Sequence, residues 1–239
     1  PADPRPFAER MRPTSLDEFV GQRDVVHALG GLLARGTVPS MVLWGPPGTG
    51  KTTLARLLTR TAGGTPPYRF VEFSATTASI ADVKRVIDDA QNRLALGVAR
   101  TVLFIDEIQR FSRAQQDIFL PAIERGTIAL VAATTENPSF RLQSALLSRL
   151  RCVVLHRLST DETCEVLRRG AARADAPAWI TPDVLRWIAN ASDGDARTAL
   201  GALEVALTAG EPAASTEHNM ARLAPALRRS FLQYDRAGD

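Results

Sequence analysis

Residues 45–52 read Gly-Pro-Pro-Gly-Thr-Gly-Lys-Thr and match the phosphate-binding pattern G-x-x-x-x-G-K-[ST]. The pattern is informative because an apolar run that favours a strand, residues 41–45, precedes it, and a helical pattern, residues 52–61, follows it. Glycines let such a loop turn its N–H groups inward and let a phosphate approach the backbone. A chain with this segment is expected to build a parallel sheet wrapped by helices.

The rest of the first two thirds of the chain alternates in the same way. Further strands are predicted at residues 69–74, 101–105, 128–134 and 152–155, and most of these runs are apolar throughout, as in a sheet covered on both faces. Helices are predicted at residues 80–94, 113–125 and 143–149, the second with Ser112 and Gln115 in capping-box spacing. The predicted fold class is therefore α/β, a doubly wound parallel sheet of five strands.

After residue 157 only helical signals remain. Ser159 and Glu162 have capping-box spacing, Thr181 and Pro182 predict a second helix start, and a third helix is expected from about Asp195. We therefore predict an α/β domain at residues 1–157 and a small helical domain at residues 158–222.

The phosphate-binding pattern predicts a nucleoside triphosphate and Mg²⁺ as ligands. Lys51 would neutralise the β- and γ-phosphates, and the Thr52 hydroxyl would hold Mg²⁺ at the positive end of the helix that follows. The candidate phosphate-binding residues are Gly45, Pro46, Pro47, Gly48, Thr49, Gly50, Lys51 and Thr52.

A second acidic signal ends the predicted strand at residues 101–105. Asp106 and Glu107 follow it directly, where a parallel sheet places ligands at its carboxyl edge. Asp106 would bind Mg²⁺ through a water, and Glu107 would polarise the water that attacks the γ-phosphate. Two acids that only cap the next turn are the alternative, and a small-molecule kinase is the minor reading because its reaction does not require the second acid.

Composition limits the class of protein more loosely. Apolar residues make up 45% and charged residues 23% of the 239, so a sizeable core can form. No apolar run is long enough to cross a bilayer and no signal segment opens the sequence, so an intracellular soluble protein without a membrane partner is expected. The net charge of +3 permits contact with phosphates. Cys152 and Cys164 are expected to be buried free thiols.

Several further segments form a distinctive set, residues 10–13, 19–22, 105–108, 115–117, 133–140, 146–149, 194–197 and 234–238. Together they resemble one family, the replication-associated recombination protein A and Werner helicase-interacting protein group of AAA+ ATPases. The resemblance extends over nearly the whole chain, and the block Thr-Thr-Glu-Asn-Pro-Ser-Phe is much more specific than the phosphate loop.

The resemblance implies roles for residues outside the phosphate loop. Arg12 and Pro13 match a segment that flanks the nucleotide. Thr135 is similar to the sensor-1 residue that holds the attacking water, with Asn137 as a neighbouring polar candidate. Further, Arg149 resembles an arginine finger that reaches a neighbouring subunit's ATP, and Arg197 resembles the sensor-2 residue of a helical lid. The fold implied is a P-loop AAA+ domain with a C-terminal helical lid.

The function implied is a Mg²⁺-dependent ATPase, stimulated by DNA, that acts in replication-fork maintenance. Implied partners are DNA with single-strand ends or fork-like structures, replication proteins, and further copies of the chain in the full-length protein, located in the nucleus of a eukaryote or the nucleoid of a bacterium. Residues 223–239 would begin a further helical oligomerisation region, and we read the chain as a piece of a longer protein. Arg110 and Arg113 are candidates for phosphate contacts with DNA, and a solvated helix start is the equal alternative.

Two alternatives remain open at this stage. A clamp-loader subunit shares Arg12-Pro13, Gly21-Gln22 and the Ser-Arg finger, although the Asn-Pro-Ser-Phe block argues against it. A non-hydrolysing ATP-binding adaptor is opposed by the intact hydrolytic set. One departure from the family is Gln109, which stands where the family usually has histidine, so hydrogen bonding is kept there and proton exchange is not.

Overall fold

The structure is a computed structural model that describes residues 4–208. These residues divide into two compact units. The α/β unit contains residues 14–46 and 50–156, and the helical unit contains residues 4–13, 47–49 and 157–208.

A five-stranded sheet forms the centre of the α/β unit. Its strands are β1 (Met41–Trp44), β2 (Tyr68–Ser74), β3 (Arg100–Asp106), β4 (Ile128–Thr134) and β5 (Arg151–Val154). The spatial order is β2-β3-β4-β1-β5, and every neighbouring pair is parallel. The predicted fold class is confirmed, and the strand bounds differ from prediction by at most one residue at either end.

Within residues 4–208, eight α-helices precede the last strand, β5, and three follow it. They are α1 (Phe7–Arg10), α2 (Arg23–Ala34), α3 (Lys51–Thr61), α4 (Ile80–Ala95), α5 (Arg113–Gln116), α6 (Phe119–Glu124), α7 (Pro138–Arg141), α8 (Ser144–Leu147), α9 (Thr160–Arg173), α10 (Pro182–Ala191) and α11 (Ala196–Thr208). The helix predicted at residues 113–125 is in fact two helices. Pro121 has no N–H to donate to the carbonyl four residues earlier, so the chain breaks after Gln116 and α6 restarts at Phe119.

Alternate residues of the central strands face two separate cores, as a sheet covered on both sides requires. Leu103 and Ile105 of β3 belong to the core on one face, whereas Val102 and Phe104 belong to the core on the other. All four side chains are fully buried. The central strands are therefore held rigidly, and so are the residues that follow them.

The helical unit contains α1, α9, α10 and α11. Its predicted capping box and the Thr181 cap both form: Ser159 accepts from the Glu162 N–H, and Thr181 accepts from the Val184 N–H at 3.4 Å. Residues 4–13 belong to this unit, whereas the predicted boundaries placed them in the α/β domain. The reason is that Phe7, only 2% exposed, packs in the core of the helical unit with Leu167 and Leu203. The predicted region at residues 223–239 and the end of the predicted helical domain lie outside the described residues.

The prediction of two buried thiols was wrong for Cys152, which is exposed on β5, and Cys164 is half-buried. Strand β5 is an edge of the sheet, and no strand of residues 4–208 pairs with its outer side. Partial burial still raises the pKa of both thiols. Within residues 4–208 no helix combines the length and the apolar character that a membrane span needs.

Candidate functional site

The predicted phosphate loop and the acidic pair lie at the same edge of the sheet. Strand β4 separates β1 from β3, and its residue Ala132 is level with both Val42 and Ile105. Parallel strands are about 4.8 Å apart, so the ends of β1 and β3 are separated by about 10 Å. The chain continues from β1 into Gly45 and from β3 into Glu107 at this carboxyl edge.

Lys51, the first residue of α3, turns its ammonium group back onto the loop. Its Nζ donates to the carbonyl of Gly45 at 2.7 Å and to that of Pro46 at 2.8 Å, and the residue is only 8% exposed. A buried ammonium needs such partners, and phosphate oxygens can replace them. Gly50 precedes the helix with φ +92, a conformation that strongly favours glycine.

Close packing requires glycine at two positions of the loop in the α/β unit. A Cβ on Gly45 would lie 2.3 Å from the Leu155 carbonyl oxygen, and one on Gly50 would lie 2.9 Å from the Phe19 ring. Residues 47–49 are grouped with the helical unit, where the Ala196 N–H donates to the Gly48 carbonyl at 3.2 Å. Substitution at any of these glycines would change the shape of the loop.

Asp106 is the last residue of β3, and Glu107 follows it in the left-handed conformation with φ +53. The Glu107 N–H donates to Asp106 Oδ1 at 3.1 Å. Gln109 lies in the 3-10 turn Ile108–Arg110, and its Nε2 donates to Glu107 Oε2. A positive φ is unusual for a residue with a side chain, and strained backbone of this kind tends to cluster at functional sites.

Mg²⁺ suits the donors that this edge offers. Thr52 supplies a hydroxyl and Asp106 a carboxylate, and Mg²⁺ usually takes one or two protein oxygens and completes its shell with waters and phosphates. A site built wholly from protein ligands is not found: within residues 4–208 no group of three or more His, Cys, Asp or Glu side chains is placed to hold a metal.

The segment after β4 carries the predicted sensor residues. Thr135, half-buried, follows Thr134 at the end of the strand, and Asn137 caps α7 by accepting from the Ser139 N–H at 3.0 Å. Gln116 supports this segment from α5, because its buried carboxamide donates to the Arg141 carbonyl at 3.2 Å and accepts from the Gln143 N–H at 3.0 Å. Asn137 therefore has a structural role whether or not it contacts a substrate.

Arg149, the predicted finger, lies just after α8 and is 38% exposed. Its Nε donates to Glu124 Oε1 at 2.7 Å, and its Nη1 donates to the Ala145 carbonyl at 2.7 Å. Sequence reasoning did not foresee the pair with Glu124, which is 25 residues away and has no local signal.

Three predicted nucleotide contacts outside the phosphate loop belong to the helical unit. Arg12 forms an ion pair with Glu9 at 2.5 Å, and its carbonyl accepts from Arg173 at 3.4 Å. Pro13 is the next residue. Arg197, the second residue of α11, is exposed, and no ion pair joins it to another residue of the described range.

The candidate DNA contacts lie in the α/β unit, just after the acidic pair. Arg110 ends the 3-10 turn and Arg113 begins α5, and both side chains are exposed. Within residues 4–208 neither guanidinium forms an ion pair. The Ser112–Gln115 capping box is present as predicted, so these arginines are held at a well-formed helix start.

The chain matches two family profiles. Residues 41–158 match "ATPase family associated with various cellular activities (AAA)", and residues 174–239 match "AAA C-terminal domain".

Comparison with curated proteins and solved structures gives the same assignment. The chain is 43% identical to replication-associated recombination protein A of Escherichia coli, a match that covers 84% of this chain and 46% of that protein. It is 36% identical to ATPase WRNIP1 of Dictyostelium discoideum, with coverage of 98% and 29%. The Thermotoga maritima RuvB Holliday junction branch migration motor superposes with a TM-score of 0.70 at 28% identity, over 88% of this chain and 72% of that one.

The chain belongs to the AAA family of ATPases. Within that family it is similar to the replication-associated recombination protein A and WRNIP1 proteins, and the resemblance predicted from the motifs is confirmed. The chain spans about half of the length of the bacterial relative and less than a third of WRNIP1.

Proposed function

We propose that this chain hydrolyses ATP in a Mg²⁺-dependent reaction that DNA stimulates. The observation that carries the proposal is the placement of Lys51 after β1 and of Asp106 and Glu107 at the end of β3, on either side of β4 at one edge of the sheet. A triphosphate bound along this edge would have a cation at its phosphates and a carboxylate within reach of the γ-phosphate.

Binding would begin at the phosphate loop. The Lys51 ammonium exchanges the carbonyls of Gly45 and Pro46 for β- and γ-phosphate oxygens, which are stronger acceptors. Thr52 and Asp106 would hold Mg²⁺, the latter through a water. When bound, the ion supplies neutralisation of the charge on the phosphate oxygens.

Glu107 is the proposed general base. Its carboxylate would accept a proton from the water that attacks the γ-phosphate, while Thr135 and Asn137 would orient that water from the end of β4. The adjacent acid, Asp106, is left for the metal, so the two carboxylates have separate tasks. Such a division favours a hydrolase over an adaptor that only binds ATP.

The remaining arginines would respond to the bound nucleotide. We assign Arg149 to the ATP of a neighbouring subunit in an oligomer, and Arg197 to the γ-phosphate as the lid residue. Arg12 and Pro13 would flank the nucleotide. An arginine can place two donors on phosphate oxygens at once, which suits all three guanidinium groups to these tasks.

DNA is the proposed effector, contacted through phosphates by Arg110 and Arg113. Names of similar proteins support this: one is called replication-associated recombination protein A, and another a Holliday junction branch migration motor. We therefore place the chain in replication-fork maintenance, with single-strand ends or fork-like DNA and replication proteins as partners, in the nucleus or nucleoid. A clamp-loader subunit is the competing assignment.

The test compares ATP binding and hydrolysis in the wild type and Glu107→Gln. The variant should bind ATP as the wild type does and lose nearly all turnover, with and without DNA, because the phosphate loop remains while the base is lost. Glu204→Gln, a surface change in the helical unit, is the matched control and should keep both properties. Equal loss of nucleotide affinity and turnover in Glu107→Gln would remove Glu107 from the role of base.

A further inference from the structure

The geometry points to Gln109 as a positioning residue that holds Glu107 in a resting orientation until nucleotide binds. This inference rests on the proposed function, since it assigns a regulator to the proposed base. Gln109 would act through Glu107 and not on the substrate itself.

The contact is local and is built into the turn after β3. Glu107 has φ +53, and the Arg110 N–H donates to its carbonyl at 2.9 Å, which closes the 3-10 turn. Ile108 anchors the turn because its side chain is completely buried. Gln109 thereby lies where its Nε2 donates to Glu107 Oε2. A hydrogen bond from an amide to a carboxylate is stronger than one between neutral groups.

The other end of the Gln109 carboxamide has no partner. Its Oε1 is buried and, among the described residues, accepts no hydrogen bond. Rotating the amide by half a turn would bring this oxygen against the Glu107 carboxylate, so the contact with Glu107 sets the orientation of the amide. A buried carbonyl without a partner is unfavourable, which opposes the favourable bond at Nε2.

The hydrogen bond at Nε2 stabilises the contact between Gln109 and Glu107, and the unpaired Oε1 opposes it. A ligand can therefore open this contact. While Gln109 Nε2 donates to Glu107 Oε2, that oxygen is directed at Gln109 and not at a water beside the γ-phosphate. A bound triphosphate with its ordered water offers Glu107 a competing donor, and release of Gln109 lets its buried carbonyl find a partner. The resting contact therefore lowers the fraction of Glu107 that is ready to act as a base.

The kinetic test replaces Gln109 by a side chain of similar size without a donor. Because ATP must open the contact, Gln109→Met should lower KM for ATP by about tenfold, the effect expected for one hydrogen bond to a charged group, with little change in kcat. Gln109→His restores an N–H donor and should return KM towards the wild-type value at a pH where imidazole is neutral. Gln91→Met, an exposed change on α4, is the matched control.

A purely structural role for Gln109 predicts a different pattern. The Gln109→Met variant would then lose thermal stability and turnover together, and KM would not fall. An unchanged or raised KM in Gln109→Met overturns the inference.

A second measurement uses the wild-type chain and does not depend on turnover. The side-chain amide signals of Gln109 in nuclear magnetic resonance spectra should show slow proton exchange, and Glu107→Ala should shift them. Addition of a non-hydrolysable ATP analogue with Mg²⁺ should also move these signals, because the contact opens. If the analogue binds and the signals do not move, Gln109 is not a switch. If the wild type binds ATP without hydrolysing it, the proposed function fails, and these spectra still decide the question for Gln109.

Discussion

The guanidinium of Arg149 is bound to the carboxylate of Glu124 in its own chain, with Nε donating to Oε1 at 2.7 Å. Both side chains are well exposed, at 38% and 50%, so water and salt screen the pair. An exposed pair is worth about 0–1 kcal/mol. Arg149 can therefore leave Glu124 at small cost, as the proposed contact with a neighbouring subunit's nucleotide requires.

A finger and a structural ion pair give opposite results when Arg149 is removed. We expect Arg149→Ala to lower the free energy of unfolding by less than about 1 kcal/mol and to lower kcat by about 10³–10⁵ in an oligomeric preparation. Chemical denaturation and steady-state ATPase assays measure the two quantities. Glu124→Gln, which removes only the partner, should keep activity. A large stability loss with normal turnover would assign Arg149 to structure alone.

Complementation tests whether Arg149 acts across subunits. Arg149→Ala and Lys51→Ala should each be inactive alone, yet a mixture should regain activity, because a Lys51→Ala subunit still offers Arg149 to a neighbour with an intact phosphate loop. Cross-linking verifies that mixed oligomers form. Continued inactivity of verified mixed oligomers would contradict a finger that acts in trans.

Lys51→Ala should weaken ATP binding itself, in contrast to Glu107→Gln. The loss leaves the phosphate charge unbalanced at the loop, and we expect the Kd for ATP to rise by at least about tenfold. Lys84, the only other lysine, is exposed on α4, so Lys84→Ala is the matched control and should bind ATP normally. Titration with a fluorescent ATP analogue measures both, and an unchanged Kd in Lys51→Ala would contradict the assignment.

Salt dependence tests Arg110 and Arg113. If each contacts one phosphate of single-stranded DNA, Arg110→Ala and Arg113→Ala should each reduce the slope of log affinity against log salt by about 0.7. Arg168, exposed in the helical unit, provides the control variant Arg168→Ala. A slope that neither variant changes would place the DNA contact elsewhere.

The lowered pKa of Glu165 predicts that the stability of the helical unit depends on pH. Hydrogen bonds, first from Arg168 and then from Arg169, lower its pKa from 4.5 to about 2. Because the folded pKa lies below the unfolded one, the pair stabilises the fold above about pH 4.5, and this contribution is lost as the pH falls towards 2. Arg168→Ala should therefore be less stable than the wild type at neutral pH and nearly equal near pH 2, as thermal unfolding at several pH values would measure. An equal deficit at every pH would contradict this origin.

Two glycines of the α/β unit predict stability changes of opposite sign. A Cβ on Gly30, inside α2, meets no atom within 4 Å, so Gly30→Ala should raise the free energy of unfolding by about 0.5–1 kcal/mol. Gly36 has φ +67, and Gly36→Ala should lower the free energy of unfolding by about 1–2 kcal/mol because alanine is strained there. Denaturant unfolding checks both, and the same sign for both would contradict the conformational argument.

Short-range patterns were sufficient to predict the sheet, the phosphate loop and the acidic pair. Apolar periodicity, glycine spacing and capping residues act over a few neighbouring positions, and β4 was predicted at the bounds it has, Ile128–Thr134. The parallel order of the strands then places Lys51 and Glu107 at one edge, because all five carboxyl ends lie there.

Tertiary structure alone decided which partner each functional side chain has. Glu124 is 25 residues from Arg149, and only packing brings α6 to the end of α8. Phe7 packs in the core of the helical unit, which no local pattern near residue 7 indicates. Gln109 and Glu107 are only two residues apart, yet their contact needs the left-handed turn at Glu107. Local sequence sets the elements, whereas the partners depend on distances that only the folded chain defines.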